Sequence, residues 1–312
     1  MRVLITGAAG FAGGQLARHL VAHGSFEVYG LRRGGKPVPE GVTAVEADLL
    51  DTEATTRAIA AAKPEIVYHL AAQSSVSGSW AHPGDTISNN VLAQRNLFEG
   101  LLAGGISPVV LVASSAEVYG KVPLDELPAS EGRVLRPVSP YGMSKVAQET
   151  LAEHYRRTHG FKVIVTRGFN QSGPGQEARL VVSDFAKQTA LIEAGKQEPV
   201  IRVGNVEARR DFTDVRDVAE AYRLIAEKGA SGDVYNICSG EARVVRDVLG
   251  VYRRLAKRSF EVREDPARFR PSDVSVMVGD GRKLRERTGW KPVIPFEQML
   301  EDTLNDWRKK IA

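Results

Sequence analysis

Three side chains have the types and spacing to move a proton at an oxygen atom. Tyr141 and Lys145 stand four residues apart in SPYGMSK, at the start of a stretch with helical character, so they share one helix face. An ammonium so placed stabilises the phenolate and lowers the phenol's pKa toward neutrality. A tyrosine tuned in this way can donate or accept a proton at a carbonyl or carbinol oxygen. Ser115 ends the apolar run in VVLVASSAEVYG, where its hydroxyl can polarise the same oxygen. A Tyr-x-x-x-Lys spacing is common by chance, and its weight here comes from that company.

A second pattern supplies a redox partner for such a triad. Directly after the apolar Val3 to Thr6 comes GAAGFAG, a GxxGxxG loop from Gly7 to Gly13 that opens a helix. Gly7, Gly10 and Gly13 allow a tight turn and a close backbone approach to a pyrophosphate, whose charge is met by the amides and dipole of the helix start. Phe11 and Ala12 belong to the same turn. The second strand ends in VYGLRRGG, with Arg32 and Arg33 and no acid. An acid there would bind the ribose hydroxyl of NAD, whereas arginine meets a 2'-phosphate, so the cofactor reads as NADP(H), with NAD(H) the alternative and Arg33 the phosphate ligand. Asp48 in EADLLD either accepts from the adenine amino group or caps the next helix.

The elements that must position these residues follow from periodicity. Strand-like stretches at Val3–Thr6, Phe26–Leu31, Val42–Glu46, Ile66–Leu70, Val109–Ala113 and Lys162–Arg167 alternate with helical ones at Phe11–Val21, Thr52–Ala62, Pro83–Ala103 and Pro140–Thr158. Repeated βαβ order predicts an α/β fold, a doubly wound parallel sheet covered by helices on both faces. Residues 1–168 read as the dinucleotide-binding domain and 169–312 as a smaller substrate domain. A helix at Leu180–Glu193 belongs to the second, and the segment 211–238 is expected to return to the first.

Composition narrows the classes further. With 312 residues, 43% hydrophobic and 26% charged, the chain can build a full core, and disorder, collagen and coiled coil are excluded. The basic excess of 42 over 38 acidic residues is spread along the chain, which argues against nucleic acid as a partner. No apolar stretch approaches the length of a membrane span, and MRVLITGAAGF does not read as a signal peptide, so a cytoplasmic protein without a membrane partner is expected. The six histidines lack metal-binding spacing, so no metal is expected. The single Cys238 and His69 read as core residues, Trp290 as a staple between domains, and Asn90 as an organiser of nearby strands.

The motifs together resemble the extended short-chain dehydrogenase/reductase family. They are the GxxGxxG turn, HLAAQSSV at His69–Val76, SSAEVYG at Ser114–Gly120, YGMSK at Tyr141–Lys145, TRGFNQSGPGQ at Thr166–Gln176, RRDFTDVRDV at Arg209–Val218, FRPSDV at Phe269–Val274 and TGWKP at Thr288–Pro292. The resemblance implies a Rossmann-type fold with a smaller C-terminal substrate-binding domain, and a nucleotide-sugar substrate. It places Ser115, Tyr141 and Lys145 in the triad, and Glu117 where dehydratases keep the carboxylate that removes a ring proton; Glu117 as a structural carboxylate is the alternative. It assigns Leu49, Leu70, Ala71 and Ala72 to the cofactor groove, and Ser75, Ser115, Asn170, Lys187, Arg210, Arg270 and Asp273 to the substrate. Arg210 and Arg270 would clamp the diphosphate and ribose, with Asp273 accepting from ribose hydroxyls.

The second half is most similar to GDP-6-deoxy-4-ketohexose reductases, which use NADPH to make GDP-rhamnose, and next to GDP-mannose 4,6-dehydratases. Other nucleotide-sugar epimerases and dehydratases, and an inactive NADP-binding regulatory protein, are the remaining alternatives. Ala116 replaces the polar or acidic residue of dehydratases, and their arginine-rich insertion after the PGQ loop is missing. By the same resemblance a homodimer is expected, packed through the helices that begin at Pro83 and Pro140.

Overall fold

The computed structural model describes residues 1–269 and 274–312. Strands and helices alternate through the first part of the chain as β1 (Arg2–Thr6), α1 (Phe11–His23), β2 (Glu27–Arg32), β3 (Thr43–Glu46), α2 (Thr52–Ala62), β4 (Ile66–His69), α3 (Val76–Ala81), α4 (Pro83–Ala103), β5 (Val109–Ser115), α5 (Pro140–His159) and β6 (Lys162–Gly168). There follow β7 (Asn170–Ser172), α6 (Val181–Glu193), β8 (Val200–Val203), β9 (Arg209–Asp214), α7 (Val215–Lys228), β10 (Val234–Ile237), β11 (Ala242–Val244), α8 (Val245–Leu255), β12 (Glu261–Glu264), β13 (Val276–Met277), α9 (Arg282–Thr288) and α10 (Phe296–Ile311).

Among the described residues the main sheet has seven strands in the order β10-β6-β5-β4-β1-β2-β3. Every neighbouring pair is parallel. Such a sheet buries both faces, which is why β4 (IVYH) is buried at every residue. Successive side chains point to opposite faces. Val3 and Ile5 of β1 pack with Leu16, Leu20, Val218 and Ile225 of α1 and α7, while Leu4 between them packs with Ile59, Leu97 and Leu101 of α2 and α4. Each such fully buried aliphatic side chain contributes about 1.5–3 kcal/mol.

Residues 211–238 are divided between two sheets. β10 extends the main sheet beside β6, and α7 packs over α1, but β9 pairs with β7, β11 and β13 in a smaller sheet. That sheet and the pair β8–β12 support a separate core in which Phe185, Phe212, Leu249, Met299, Leu300 and Leu304 meet. Trp290 is buried in the core of the main sheet, where its indole donates to the Asp217 carbonyl at 2.9 Å and ties the C-terminal stretch to α7. Among the described residues no helix is long and apolar enough to cross a membrane.

A buried ion pair anchors α5. Arg167 at the end of β6 donates to both oxygens of Glu149, at 3.0 and 2.7 Å, with side chains only 6% and 10% exposed. The Ser114 hydroxyl donates to the same carboxylate at 2.5 Å, and Arg167 also reaches the Tyr119 hydroxyl and the Glu131 carbonyl. Removing one partner of a buried pair leaves an uncompensated charge, at a cost of about 3–5 kcal/mol. Glu149→Ala should therefore lower the unfolding free energy by about that amount in a urea titration. A loss under about 1 kcal/mol, as for an exposed pair, would show that α5 is held by other means.

Candidate active site

The strand order reverses at β1, between β2 and β4, and a crevice opens there beyond the carboxyl ends of the strands, where ligands of open α/β sheets bind. The glycine turn leads into it. Gly7 has φ 76°, and a Cβ on Gly13 would lie 2.2 Å from the Gly7 carbonyl oxygen, so both positions exclude other side chains. No side chain caps α1 at Gly10, and Gly7, Ala9, Gly10, Phe11, Ala12 and Gly13 all face the cleft. An uncapped helix start beside a glycine-rich turn fits a pyrophosphate. The cleft measures about 1270 Å³ and runs on past β5 to α6, room for a dinucleotide and a second nucleotide-sized ligand.

The two arginines after β2 have different neighbours. Arg32 pairs with Glu46 at 3.0 Å and donates to the Lys36 carbonyl at 3.0 Å, which folds the following loop. Arg33 is 71% exposed and meets Asp48 at 3.2 Å, so its guanidinium can turn to take an anion. Asp48 does not cap α2. That role belongs to Asp51, which accepts from Ala54 N at 2.9 Å, while Asp48 accepts from Leu50 N at 3.0 Å and shapes the turn. Leu49, Leu70, Ala71 and Ala72 line the same cleft with Arg32, Arg33 and Asp48. Beneath them Thr6 takes the Ala71 amide at 3.1 Å and lies 2.9 Å from His69, whose burial and nearby Lys145 push its pKa down to about 3. His69 is thus a neutral packing group.

Ser115 and Tyr141 come together at the carboxyl end of β5. Ser139 caps α5 by accepting from Gly142 N at 3.1 Å, with Pro140 in the first turn, and this sets Tyr141 against the cleft. Burial pushes the Tyr141 phenol well above its ordinary range; a hydrogen bond to Ser115 opposes this and the charge of Glu117 adds to it. Burial, the largest cause, thus replaces the expected lowering toward neutrality by a rise, while Lys145 lies over the ring, 5.8 Å from its centroid, and donates to the Ala113 carbonyl at 2.8 Å. Burial pushes Lys145 down to about 8, with Glu149 opposing. The phenol is therefore a protonated donor at neutral pH, in a site where Glu117 also faces the cleft and accepts from Ser139 at 3.3 Å.

The remaining residues divide. Asn170 and Arg210 line the cleft, whereas Ser75 and Lys187 do not. The Ser75 hydroxyl caps α3 by accepting from Gly78 N at 3.0 Å, and its neighbours Ser74 and Ser77 face the cleft instead. Lys187 lies over the Trp307 ring of α10, 5.6 Å from its centroid. Arg270 and Asp273 lie outside the described residues. Asn90 ties the loop after β4 to α5, accepting from Gln73 N at 2.7 Å and donating to Ser144 at 2.9 Å, and Cys238 is buried.

Sequence reasoning missed several lining residues, among them Arg179, Asp184 and Arg268. Arg179 donates to Ser74 at 3.1 Å across the cleft mouth. The PGQ turn closes the other side, where Gln15 of α1 donates to the Pro174 carbonyl at 2.9 Å and Gly175 N donates to Asp306 of α10 at 2.9 Å. The missed charges belong to no motif of their own, and only the convergence of α6 with the 266–268 turn brings Asp184 and Arg268 together.

Comparison with known proteins matches residues 4–303 to the GDP-mannose 4,6 dehydratase family. The chain is 35% identical over 311 residues to the GDP-6-deoxy-D-mannose reductase of Pseudomonas aeruginosa, covering 99% of this chain and 98% of that one. Its fold superposes with a TM-score of 0.88 on RMD from Pseudomonas aeruginosa complexed with NADPH, at 32% identity over 99% of this chain and 100% of the other. A TM-score of 0.88 also relates it to the UDP-glucose 4-epimerase of Thermus thermophilus in complex with NAD, at 33% identity over 99% of each chain. With one family accounting for nearly its whole length, the chain belongs to the GDP-mannose 4,6 dehydratase family, within the extended short-chain dehydrogenase/reductases.

Proposed function

We propose that the protein uses NADPH to reduce the 4-keto group of a GDP-linked 6-deoxy-4-ketohexose, giving GDP-rhamnose. The observation that carries this reading is a buried Tyr141, its phenol raised above the ordinary range by that burial, lining the cleft with Ser115 and with an alanine at position 116. A reductase needs one proton at the C4 oxygen, and this arrangement delivers one proton. The 35% identity to a GDP-6-deoxy-D-mannose reductase supports the substrate class, and RMD complexed with NADPH supports the cofactor.

When bound in the glycine-turn end of the cleft, NADPH would supply the hydride. Ser115 polarises the C4 carbonyl and Tyr141 gives its phenolic proton to the developing alkoxide. Lys145, held by the Ala113 carbonyl, contributes positive charge behind the ring that stabilises the phenolate left after transfer. Glu117 favours a second reading, a 4,6-dehydratase, in which its carboxylate removes the C5 proton after oxidation at C4.

Three experiments test these assignments. If Arg33 binds the 2'-phosphate, Arg33→Ala should weaken NADPH binding about tenfold or more and leave NADH binding nearly unchanged, in a fluorescence titration. An unaltered ratio of the two affinities would remove Arg33 from the cofactor site. Proton delivery by a placed side chain is worth about 10²- to 10⁴-fold, so Tyr141→Phe should lose that much turnover while still binding NADPH. Near-normal turnover in this variant would require another acid.

The third experiment separates the two reactions. Incubation with GDP-4-keto-6-deoxymannose should oxidise NADPH stoichiometrically, with no obligatory deuterium at C5 in heavy water, and GDP-mannose with catalytic NADP⁺ should give no product. Formation of the 4-keto sugar from GDP-mannose, with deuterium at C5 and loss of that activity in Glu117→Gln, would establish the dehydratase instead.

A further inference from the structure

Beyond the triad the cleft ends in a slot between α6 and the 266–268 turn, walled by Val181, Phe185, Val245 and Phe269. The cleft lining also holds the charged Asp184 and Arg268, with Arg179, Asn205 and Arg210. Asp184 of α6 is 18% exposed and pairs with Arg268 at 2.6 Å through its Oδ2, which also accepts from Gln188 at 3.0 Å. Among the described residues nothing donates to its Oδ1. A carboxylate fixed by two donors on one oxygen, in the lining of a ligand-sized cleft, keeps its other oxygen as an acceptor for a ligand.

We propose that Asp184 is the residue that reads the nucleobase, and that the base it selects is guanine; this rests on the nucleotide-sugar reading above. The glycine turn claims the opposite end of the cleft for the dinucleotide, so the slot beyond Ser115 and Arg210 is left for the base of the second nucleotide. Guanine presents a ring N1–H beside its 2-amino group, two donors on one edge, and a carboxylate is complementary to that edge. Uracil presents a single N–H between two carbonyl oxygens, which a carboxylate repels. Hypoxanthine keeps the N1–H and lacks the amino group. The apolar walls, with Phe269 half exposed at the slot, suit the ring faces. Arg268 and Gln188 act through Asp184: burial pushes its carboxyl up, and both donors pull it back toward the charged form that accepts.

Calorimetric titration of the NADPH-loaded protein with GDP, IDP and UDP tests this. The wild type should bind GDP about tenfold or more tighter than IDP, and IDP tighter than UDP. Asp184→Asn, which keeps shape and one acceptor oxygen, should bring GDP and IDP to within about threefold of each other. Equal wild-type affinity for GDP and IDP, tighter binding of UDP, or an unchanged GDP-to-IDP ratio in Asp184→Asn would each overturn the assignment while leaving a nucleotide site in place. Failure of all three nucleotides to bind would overturn the nucleotide-sugar reading itself, and this inference with it.

Discussion

The site depends on one constraint, that α5 lies in a fixed register against β5 and β6. Tyr141 and Lys145 both ride on this helix, and their partners Ser115 and the Ala113 carbonyl sit on β5. Apolar packing alone tolerates small slides, whereas buried hydrogen bonds do not. Three consecutive regions of α5 carry such bonds. Ser144 takes Asn90, the Gln148 carbonyl takes Gln94 at 2.8 Å, and Glu149 takes Arg167. Each would be broken by a shift of one turn, so the helix that carries the proton donor has one position available.

That constraint also organises the electrostatics. Lys145 is 4% exposed and pushed down to about 8, and a second cation beside it would push it further. The imidazole next to it, His69, is instead kept neutral by the same burial and by the lysine itself. Glu149, one helical turn beyond Lys145, favours the ammonium form although its own carboxylate is engaged by Arg167. The positive charge behind the Tyr141 ring thus comes from the lysine and not from the imidazole.

Most of this was legible in the sequence where the signal is strong and local. The ends of α2 and α4 follow from apolar spacing and from Pro83, although the cap of α2 is Asp51 and not Asp48, and the turn from Gly7 to Gly13 follows from its glycines. The strands of the second lobe were not legible. β12 reads EVRE with every residue exposed, β9 reads RRDFTD, and β13 has two residues, so their pairing is set by distant partners rather than by their own pattern. α8 and α10 carry an apolar stripe, Val248, Leu249 and Tyr252 in one and Met299, Leu300 and Leu304 in the other, that helical spacing could have revealed. Ser75 and Lys187 show what a resemblance leaves out, since it places a residue along the chain without telling what its side chain is already bonded to.

The PGQ turn is stitched to both lobes, to Gln15 beside the glycine turn and to Asp306 on the last helix. Its two bonds lie on one side of the cleft, and the Arg179–Ser74 bond spans the other as a single exposed contact. A net hydrogen bond is worth on the order of 1 kcal/mol, less when water can replace it. Parting the lobes at the PGQ side breaks the Gln15–Pro174 bond and leaves the turn held to α10 through Asp306, whereas parting them at Ser74 breaks the Arg179–Ser74 bond between two loops. The cleft is therefore bridged on both sides, at Pro174 by a turn that the last helix also holds, and at Arg179 by a side chain with no second anchor across the gap among the described residues.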